Sequence, residues 1–407
     1  MFIFYPFLLR LYKFFVWLFS FFNTKARDFD RTRKDQISEI KKWSFSNSQE
    51  QKIWIHSASL GEYEMAKPII EALKKAYPDL RFIISFFSPS GYNFAEYNNA
   101  KDLKIYLPID IYNAQKQIIE ILKPSAVLII KYEFWYNFMK VLKEKNIPYF
   151  YSSLHLEPDS YMFSKHFNKV LDYVKQSERI FCHSKNSLEI LQKVGFKNCV
   201  TFGDSRIAQV IENKRTDKPV QFKVSKKTIC FGSACLNEFN WIVEFINKNS
   251  TYNYIIAPHD IDNQSINSLI KGINFHTTLY SKEQKNIASS ILIVDTIGDL
   301  KHLYKYCNIA YVGGAFKKGP HNLLEPLVYG IPTICGPHVK KFPMAQVMIN
   351  EGFTQMINKP EDFPNAVKIC NNLDVNSFKQ KVDFFISHQA CKMPLLLDSI
   401  TEVLKRF

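Results

Sequence analysis

Short apolar runs and amphipathic segments alternate along most of this chain, beginning at Lys52. Ile53–His56, Arg81–Phe86, Leu103–Leu107, Ala126–Ile130, Tyr149–Ser153 and Arg179–His183 read as strands. They are four to six residues long, rich in Ile, Val and Phe, and bounded by small or turn-forming residues. A helical segment opens at Glu62 and runs to about Ala76, and Ser88-Pro-Ser-Gly91 turns into another. Residues 211–227 are charged, lack periodicity and read as a linker. A second series of strands follows at Thr228–Gly232, Tyr254–Ala257, Ile291–Val294, Ile309–Val312 and Thr333–Cys335, and residues 390–407 read as a closing amphipathic helix. Strands alternating with helices predict mostly parallel sheets covered on both faces. The pattern therefore predicts two doubly wound α/β domains, residues 27–210 and 228–389, facing each other across a cleft.

Residues 1–26 depart from this pattern. Within 1–22, Arg10 and Lys13 interrupt an otherwise apolar and aromatic segment, leaving two runs of nine residues. No small-residue cleavage site follows, which argues against a removed signal peptide. On a helix, Arg10, Lys13 and Ser20 fall within roughly 80° of one another at 100° per residue. A narrow polar stripe on a greasy cylinder suits a helix lying in a membrane interface, or one spanning it with snorkelling charges. Lys25, Arg27, Arg31, Arg33 and Lys34 follow directly and place the expected globular body on the cytoplasmic side.

Composition narrows the partners. The formal charge of +15 favours anionic ones: a nucleotide, a phosphorylated substrate or an acidic membrane surface. The basic residues are scattered rather than run together, which argues against nucleic acid. The eight cysteines show no C-x-x-C spacing and several lie in apolar runs, as reduced thiols in a cytosolic compartment would. No metal-ligand motif, dinucleotide fingerprint or Walker loop is present, so no metal is expected.

The stretch from Tyr311 to Pro337 carries the strongest local signal. A strand ends at Val312 and breaks at Gly313-Gly314, and a helix is predicted from near Asn322 to before Gly330, with Asn322 as its N-cap and Glu325 three residues on. Glycines at a strand end allow a ligand close to the backbone, and ligands of open α/β sheets bind beyond the carboxyl ends of the strands. Other polar groups fall at such ends: Ser57, Ser59, Gly61 and Glu62; Ser88, Ser90 and Gly91; Asp110; Glu133; Gly232 and Ser233; Pro258 and His259; Asp295 to Asp299. Taken singly, each carboxylate is as well explained as a helix cap. Glu62, early in its helix, is a cap or a general base; as a base it needs partial desolvation to offset the helix dipole. Arg206 reads as a surface residue near the hinge or as a guanidinium aimed at a phosphate, and His259 as a phosphate ligand or a turn cap.

As an ordered set, these motifs resemble the 3-deoxy-D-manno-octulosonic acid (Kdo) transferases. The matching pieces are Trp54-Ile-His-Ser-Ala-Ser-Leu-Gly-Glu62, Leu107-Pro-Ile-Asp110, Glu133-Phe-Trp-Tyr-Asn137, Gly203-Asp-Ser-Arg206, Pro258-His259, Asp295-Thr-Ile-Gly-Asp-Leu300, and Gly313-Gly with His321-Asn-Leu-Leu-Glu325 and Gly336-Pro-His338. The resemblance implies a GT-B fold and an inverting, metal-independent transfer of Kdo from CMP-Kdo to the glucosamine disaccharide of a lipid A precursor, lipid IVA. It also implies attachment to the cytoplasmic side of the inner membrane. Carried onto matching positions, Glu62 is the implied general base, and Glu133 and Arg206 stabilise the transition state. Pro258, His259, Ile297, Gly298, Asp299, Asn322, Leu323, Leu324 and Glu325 are the implied CMP site.

The chain departs from the family pattern in four places. Lys131 stands where an acidic residue is common, Tyr136 where Pro is usual, Pro320 in place of a Gly, and His155 where Arg is frequent. The alternatives are a GT-B transferase or epimerase using a UDP-sugar, and a non-catalytic membrane-bound lipid-binding protein of the same fold.

Overall fold

The computed structural model describes residues 5–21, 24–95, 97, 99, 101–156, 158–216, 221–222, 226–282, 286–287, 290–340 and 342–406. The chain forms two compact units. Unit 1 comprises Met1–Ala208 with Ala390–Phe407, and unit 2 comprises Gln209–Gln389.

Seven parallel strands build the sheet of unit 1: β1 (Lys52–Ser57), β2 (Arg81–Phe86), β3 (Leu103–Tyr106), β4 (Ala126–Ile130), β5 (Tyr149–Leu154), β6 (Arg179–Cys182) and β7 (Cys199–Thr201). Their spatial order is β3-β2-β1-β4-β5-β6-β7. The order in which successive strands are added reverses between β1 and β4, so a crevice opens at their carboxyl ends. Both faces are covered, which is why the strands are apolar throughout rather than alternating. Trp54, Ile83, Ile105, Val127, Ile129 and Tyr151 pack on one face with helices Thr24–Ser46, Tyr112–Leu122, Tyr136–Glu144 and Asn168–Lys175. Ile53, Ile55, Ile84, Leu128, Ile130 and Phe150 pack on the other with helix Leu60–Ala76 and the C-terminal helix Met393–Leu404. That last helix returns from unit 2. A backbone bond from Lys392 N–H to Phe202 O (2.8 Å) and a bridge between Asp204 and Ala390 fix it there.

Helix Thr24–Ser46 finishes the exposed edge of this sheet. Gln36 donates to Tyr106 O and accepts from Tyr106 N–H, each at 2.9 Å, so its amide replaces a missing neighbouring strand. Arg33 donates through Nε to Leu107 O (3.2 Å) and through Nη2 to Phe87 O, with its guanidinium 4.5 Å from the Tyr106 ring centre. Two strand-end carbonyls and an aromatic face thus hold its charge against the sheet. The side chains of Lys13, Ser20, Lys25, Arg27, Arg31 and Lys34 lie outside the described set.

The N-terminal helix, Tyr5–Ser20, leaves much of its apolar surface uncovered: Phe7, Leu8, Phe14, Phe15, Trp17 and Phe19 are all exposed. Among the described residues no helix is long and apolar enough to cross a membrane. At its start, the Tyr5 hydroxyl donates to the Asp110 carboxylate at 2.7 Å.

Unit 2 repeats the architecture. Its main sheet contains β9 (Thr228–Ala234), β10 (Asn253–Pro258), β11 (Thr278–Leu279), β13 (Ile291–Ile293), β14 (Ile309–Val312), β15 (Thr333–Cys335) and β16 (Thr354–Met356), while β8 (Gln221–Phe222) and β12 (Asn286–Ile287) form a separate pair. The order is β11-β13-β10-β9-β14-β15-β16, again all parallel. The reversal here lies between β9 and β14. One face is centred on Phe231, Trp241, Tyr311 and Phe363, whose rings lie 5.1–6.0 Å apart.

Two expectations from the sequence need correction. Residues 211–215 of the expected linker belong to helix Ser205–Arg215, whose Lys214 Nζ donates to Val328 O (2.7 Å); residues 217–220 and 223–225 lie outside the described set. The helix after Asn322 is a single turn, Leu324–Leu327, because Pro326 and Gly330 limit it. The short edge strands β7, β11 and β16 carry too few residues for a visible pattern.

Asp110 is buried at the carboxyl end of the sheet, where its side chain accepts from Asn137 N–H (2.9 Å) and Phe138 N–H (2.8 Å). It thus caps the helix that follows the Glu133 loop. Asp110→Ala strands those donors and is expected to lower the stability of unit 1 by about 2–4 kcal/mol. The measurement is urea unfolding read by hydrogen exchange in Tyr136–Glu144; a change below 1 kcal/mol excludes this capping role.

Candidate active site

Two carboxylates meet at the reversal point of unit 1. Glu62 reaches the crest because β1 ends at Ser57 and a tight turn starts helix Leu60–Ala76 with Ser59 as its N-cap. Ser59 N–H donates to the Glu62 carboxylate at 3.1 Å. Glu133 arrives from the neighbouring strand: after β4, Lys131 adopts a left-handed conformation (φ 61°) that turns the chain sharply. Glu133 Oε2 accepts from Trp135 Nε1 at 2.7 Å and lies 3.6 Å from Nε2 of the buried His56.

The electrostatic balance gives Glu62 the character of a base. Burial and the neighbouring Glu133 charge push its carboxyl above the ordinary carboxylate value, against opposing pulls from Lys131, His56 and the Ser59 N–H. Glu62 is half-buried rather than sealed, so it can reach a ligand. Lys131 shares the pocket; burial and Arg206 lower its ammonium, while Glu62 and Asp204 act the other way.

Arg206 belongs to the same group. It forms a fork with the buried Asp204, with Nε 3.0 Å from Oδ1 and Nη2 2.6 Å from Oδ2, and about a third of its side chain remains exposed. Burial of Asp204 opposes its ionisation, but the Arg206 guanidinium outweighs this and holds the carboxyl below its usual value. The fork fixes the guanidinium plane and leaves Nη1 outside the pair.

Thus Glu62, Glu133 and Arg206, more than 140 residues apart in sequence at the extremes, form one electrostatically linked cluster in unit 1. Sequence reasoning missed His56, Asp204 and His183 as members. Asp204 was signalled by its place two residues before Arg206; buried His56 and half-buried His183 read as strand residues. Several polar strand-end residues prove structural. Asp110 is a cap, Ser88 Oγ accepts from Gly91 N–H (3.4 Å), and Asp295 holds Ser281 through its N–H (2.8 Å) and hydroxyl (2.5 Å).

In unit 2 the expected nucleotide residues lie at the carboxyl ends of three strands of the sheet. Pro258 ends β10 and His259 follows it, Ile297 to Asp299 follow β13, and Asn322 to Glu325 follow β14. The β10 and β14 loops touch, with the His259 and His321 rings 4.4 Å apart. Ile297 is 76% exposed, and Gly298 (φ 82°) opens onto empty space. Asn322 caps by accepting from Leu324 N–H (3.1 Å), and its amide donates to Glu325 (3.2 Å), so Glu325 is tied to a side chain rather than completing a reciprocal backbone box. With one helical turn behind it, this loop has little helix dipole to offer an anion.

A residue with no expected role organises the loops of unit 2. Buried Glu238 accepts from Cys235 N–H (2.8 Å), the Tyr311 hydroxyl (2.8 Å) and Gly314 N–H (3.1 Å), binding the ends of β9 and β14 together. The sequence hint was a carboxylate three residues after Cys235, in capping position. All eight cysteines are free, six of them buried. Among the described residues no cluster of three or more His, Cys, Asp or Glu is arranged to hold a metal ion.

Two doubly wound parallel sheets in one chain define a GT-B-type protein. A solved UDP-GlcNAc 2-epimerase from Neisseria meningitidis, bound to UDP-GlcNAc, shares this fold with a TM-score of 0.55 at 11% identity, covering 86% of this chain and 100% of that one. Residues 32–209 match the family model of 3-deoxy-D-manno-octulosonic-acid transferase (kdotransferase). The chain is 28% identical over 299 residues to a 3-deoxy-D-manno-octulosonic acid transferase of Aquifex aeolicus, covering 71% of this chain and 77% of that protein. It is also 26% identical over 410 residues to a bifunctional glycosyltransferase/methyltransferase of Fusobacterium nucleatum, covering 95% of this chain but 62% of that longer protein. By these matches the chain is similar to the Kdo transferases, a family of glycosyltransferases, and residues 32–209 carry the match to their family model.

Gly313 tests how closely β9 and β14 must approach. A Cβ there would lie 2.3 Å from Ser233 O and 2.7 Å from Glu238 Oε2. Gly313→Ala is expected to destabilise unit 2 by about 1–3 kcal/mol. Hydrogen exchange should quicken at the Cys235 and Gly314 amides and stay unchanged at β1; unaltered protection at both amides contradicts the packing described.

Proposed function

We propose that this chain transfers Kdo from CMP-Kdo to the glucosamine disaccharide of a lipid A precursor, lipid IVA, with inversion at the sugar's anomeric carbon and release of CMP. Similarity to the Kdo transferases supports the sugar and the reaction class. The observation that carries the mechanism is the pairing of Glu62 with Glu133 at the reversal point of unit 1, with Glu62 shifted toward useful basicity.

In the proposed reaction, Glu62 removes the proton from the acceptor hydroxyl as its oxygen attacks the anomeric carbon. The bond from that carbon to the phosphate oxygen breaks, and its electron pair leaves with CMP. Glu133 stabilises the positive charge developing on the sugar, and Arg206, held in plane by Asp204, offers its remaining N–H groups to negative charge. No metal is required in this scheme. The cytidine phosphate is assigned to Pro258, His259, Ile297, Gly298, Asp299, Asn322, Leu323, Leu324 and Glu325, with Ile297 presenting an apolar contact and Gly298 leaving room beside it.

Helix Tyr5–Ser20 is the proposed docking element for the cytoplasmic face of the anionic inner membrane. Its exposed Phe, Leu and Trp side chains suit insertion at the headgroup level, and the net positive charge of the chain adds attraction to acidic lipid. Each inserted aromatic is worth about 1.5–3 kcal/mol. Replacing Phe7, Phe14 and Trp17 together by Ser should therefore weaken binding to anionic phospholipid vesicles by about 1,000-fold or more. Sedimentation with vesicles measures this; undiminished binding assigns attachment to another surface.

Turnover of CMP-Kdo with a tetra-acylated lipid A precursor tests the reaction itself. Glu62→Gln should reduce kcat by roughly 100- to 10,000-fold while CMP still binds. Because Glu62 acts ionised and its carboxyl is raised, kcat/KM should fall as pH drops through a value above that of an ordinary glutamate. Full activity of Glu62→Gln overturns its role as base, and binding of UDP in preference to CMP moves the chain to the UDP-sugar alternative.

A further inference from the structure

A buried chain of polar groups runs from the middle of the unit 1 sheet to Glu133. Trp54, Ser85 and His56 share one face of β1 and β2, and all three are fully buried. Trp54 Nε1 donates to Ser85 Oγ at 2.7 Å. The same oxygen lies 2.8 Å from His56 Nδ1. The other imidazole nitrogen, Nε2, has no hydrogen-bond partner and lies 3.6 Å from Glu133 Oε2.

The chemistry of these groups sets the direction of the chain. An indole nitrogen only donates, so Ser85 Oγ accepts from Trp54 and retains its own proton. His56 Nδ1 is the acceptor within reach of that proton. A neutral imidazole accepting at Nδ1 carries its hydrogen on Nε2, the nitrogen facing Glu133. The opposite tautomer would set a nitrogen lone pair against a carboxylate oxygen in a dry site. Trp135 Nε1 donates to the same Oε2 at 2.7 Å. Two N–H dipoles then converge on one oxygen of Glu133, and Oε1 takes part in neither contact.

We propose that His56 is a positioning residue for glycosyl transfer: Trp54 and Ser85 fix its Nε2–H tautomer, and that N–H orients the Glu133 carboxylate in its ionised form. This rests on the role given to Glu133 above. The Glu133 carboxylate so oriented faces the sugar in the proposed reaction, and its charge also contributes to the raised carboxyl of Glu62. His56 touches no reacting atom in this scheme.

The experiment combines kinetics with the state of the imidazole. In the full chain, with CMP-Kdo and the lipid A precursor, His56→Phe should lower kcat roughly 10- to 100-fold with little change in KM. His56→Gln, whose terminal amide can place an N–H near the Nε2 position, should restore most of that loss. In a Glu133→Gln background, His56→Phe should add less than about a threefold further loss, because the group it positions is gone. Multiplicative losses overturn the proposal, as does a change confined to KM or a failure of His56→Gln to recover the rate. Nitrogen-15 NMR of the histidines, with His56 assigned by its absence in His56→Phe, gives a second readout independent of turnover. Protonated Nε2 with accepting Nδ1 is expected, and Ser85→Ala should shift the ring toward the other tautomer. A wild-type His56 protonated at Nδ1 overturns the relay even if the chain transfers no Kdo, an outcome that by itself would overturn the proposed function instead.

Discussion

A parallel sheet covered on both faces leaves polar chemistry few places to go. In each unit the strands are sealed by helices, so reactive groups collect where the strands end and the chain must turn. That constraint places Glu62 after β1, Glu133 after β4 and Arg206 beyond β7, and it sets the nucleotide-site candidates on the turns after β10, β13 and β14. Reversal of strand order does the rest. Between β1 and β4, and between β9 and β14, adjacent connections depart to opposite sides and leave an opening.

Electrostatics then distinguishes the two openings. The crest of unit 1 gathers Glu62, Glu133, Lys131, Asp204 and Arg206 with two buried or half-buried imidazoles, at a site drier than bulk water. Charges there influence one another strongly, and the result is unequal: Asp204 is held ionised by its guanidinium fork, whereas Glu62 is pushed toward the proton. Lys131 replaces the acidic residue common in the family and enters this balance directly, through Glu62 and Asp204. Unit 2 has a different economy of charge. Its buried carboxylate, Glu238, is spent on backbone and hydroxyl donors, and the loops above it offer apolar surface, imidazoles and open backbone.

The N-terminal helix joins this arrangement through a polar contact. Tyr5 donates to Asp110, and the same carboxylate caps the helix beginning at Tyr136, three residues beyond Glu133. The segment proposed to meet lipid is thus tied to the helix that follows a candidate catalytic group. Asp110 and Arg33 show how strand-end carbonyls and helix N–H groups absorb charged side chains that would otherwise seem available for function.

Alternation of apolar runs with amphipathic segments determined the two α/β units, because burial on both faces forces near-continuous apolar strands that are visible without coordinates. Glu62, Glu133 and Arg206 were legible as an ordered set of motifs, and so were the loops of unit 2. The extent of Ser205–Arg215 was not, since its exposed face reads like a linker; nor were β7, β11 and β16, too short to show a period. Only the tertiary structure decided which polar residues merely cap, which share a field, and that His56 and Asp204 lie beside Glu133 and Arg206, and Glu238 beneath the loops of unit 2. Those distinctions depend on side chains brought within a few ångströms from distant parts of the chain, and on how much water remains around them.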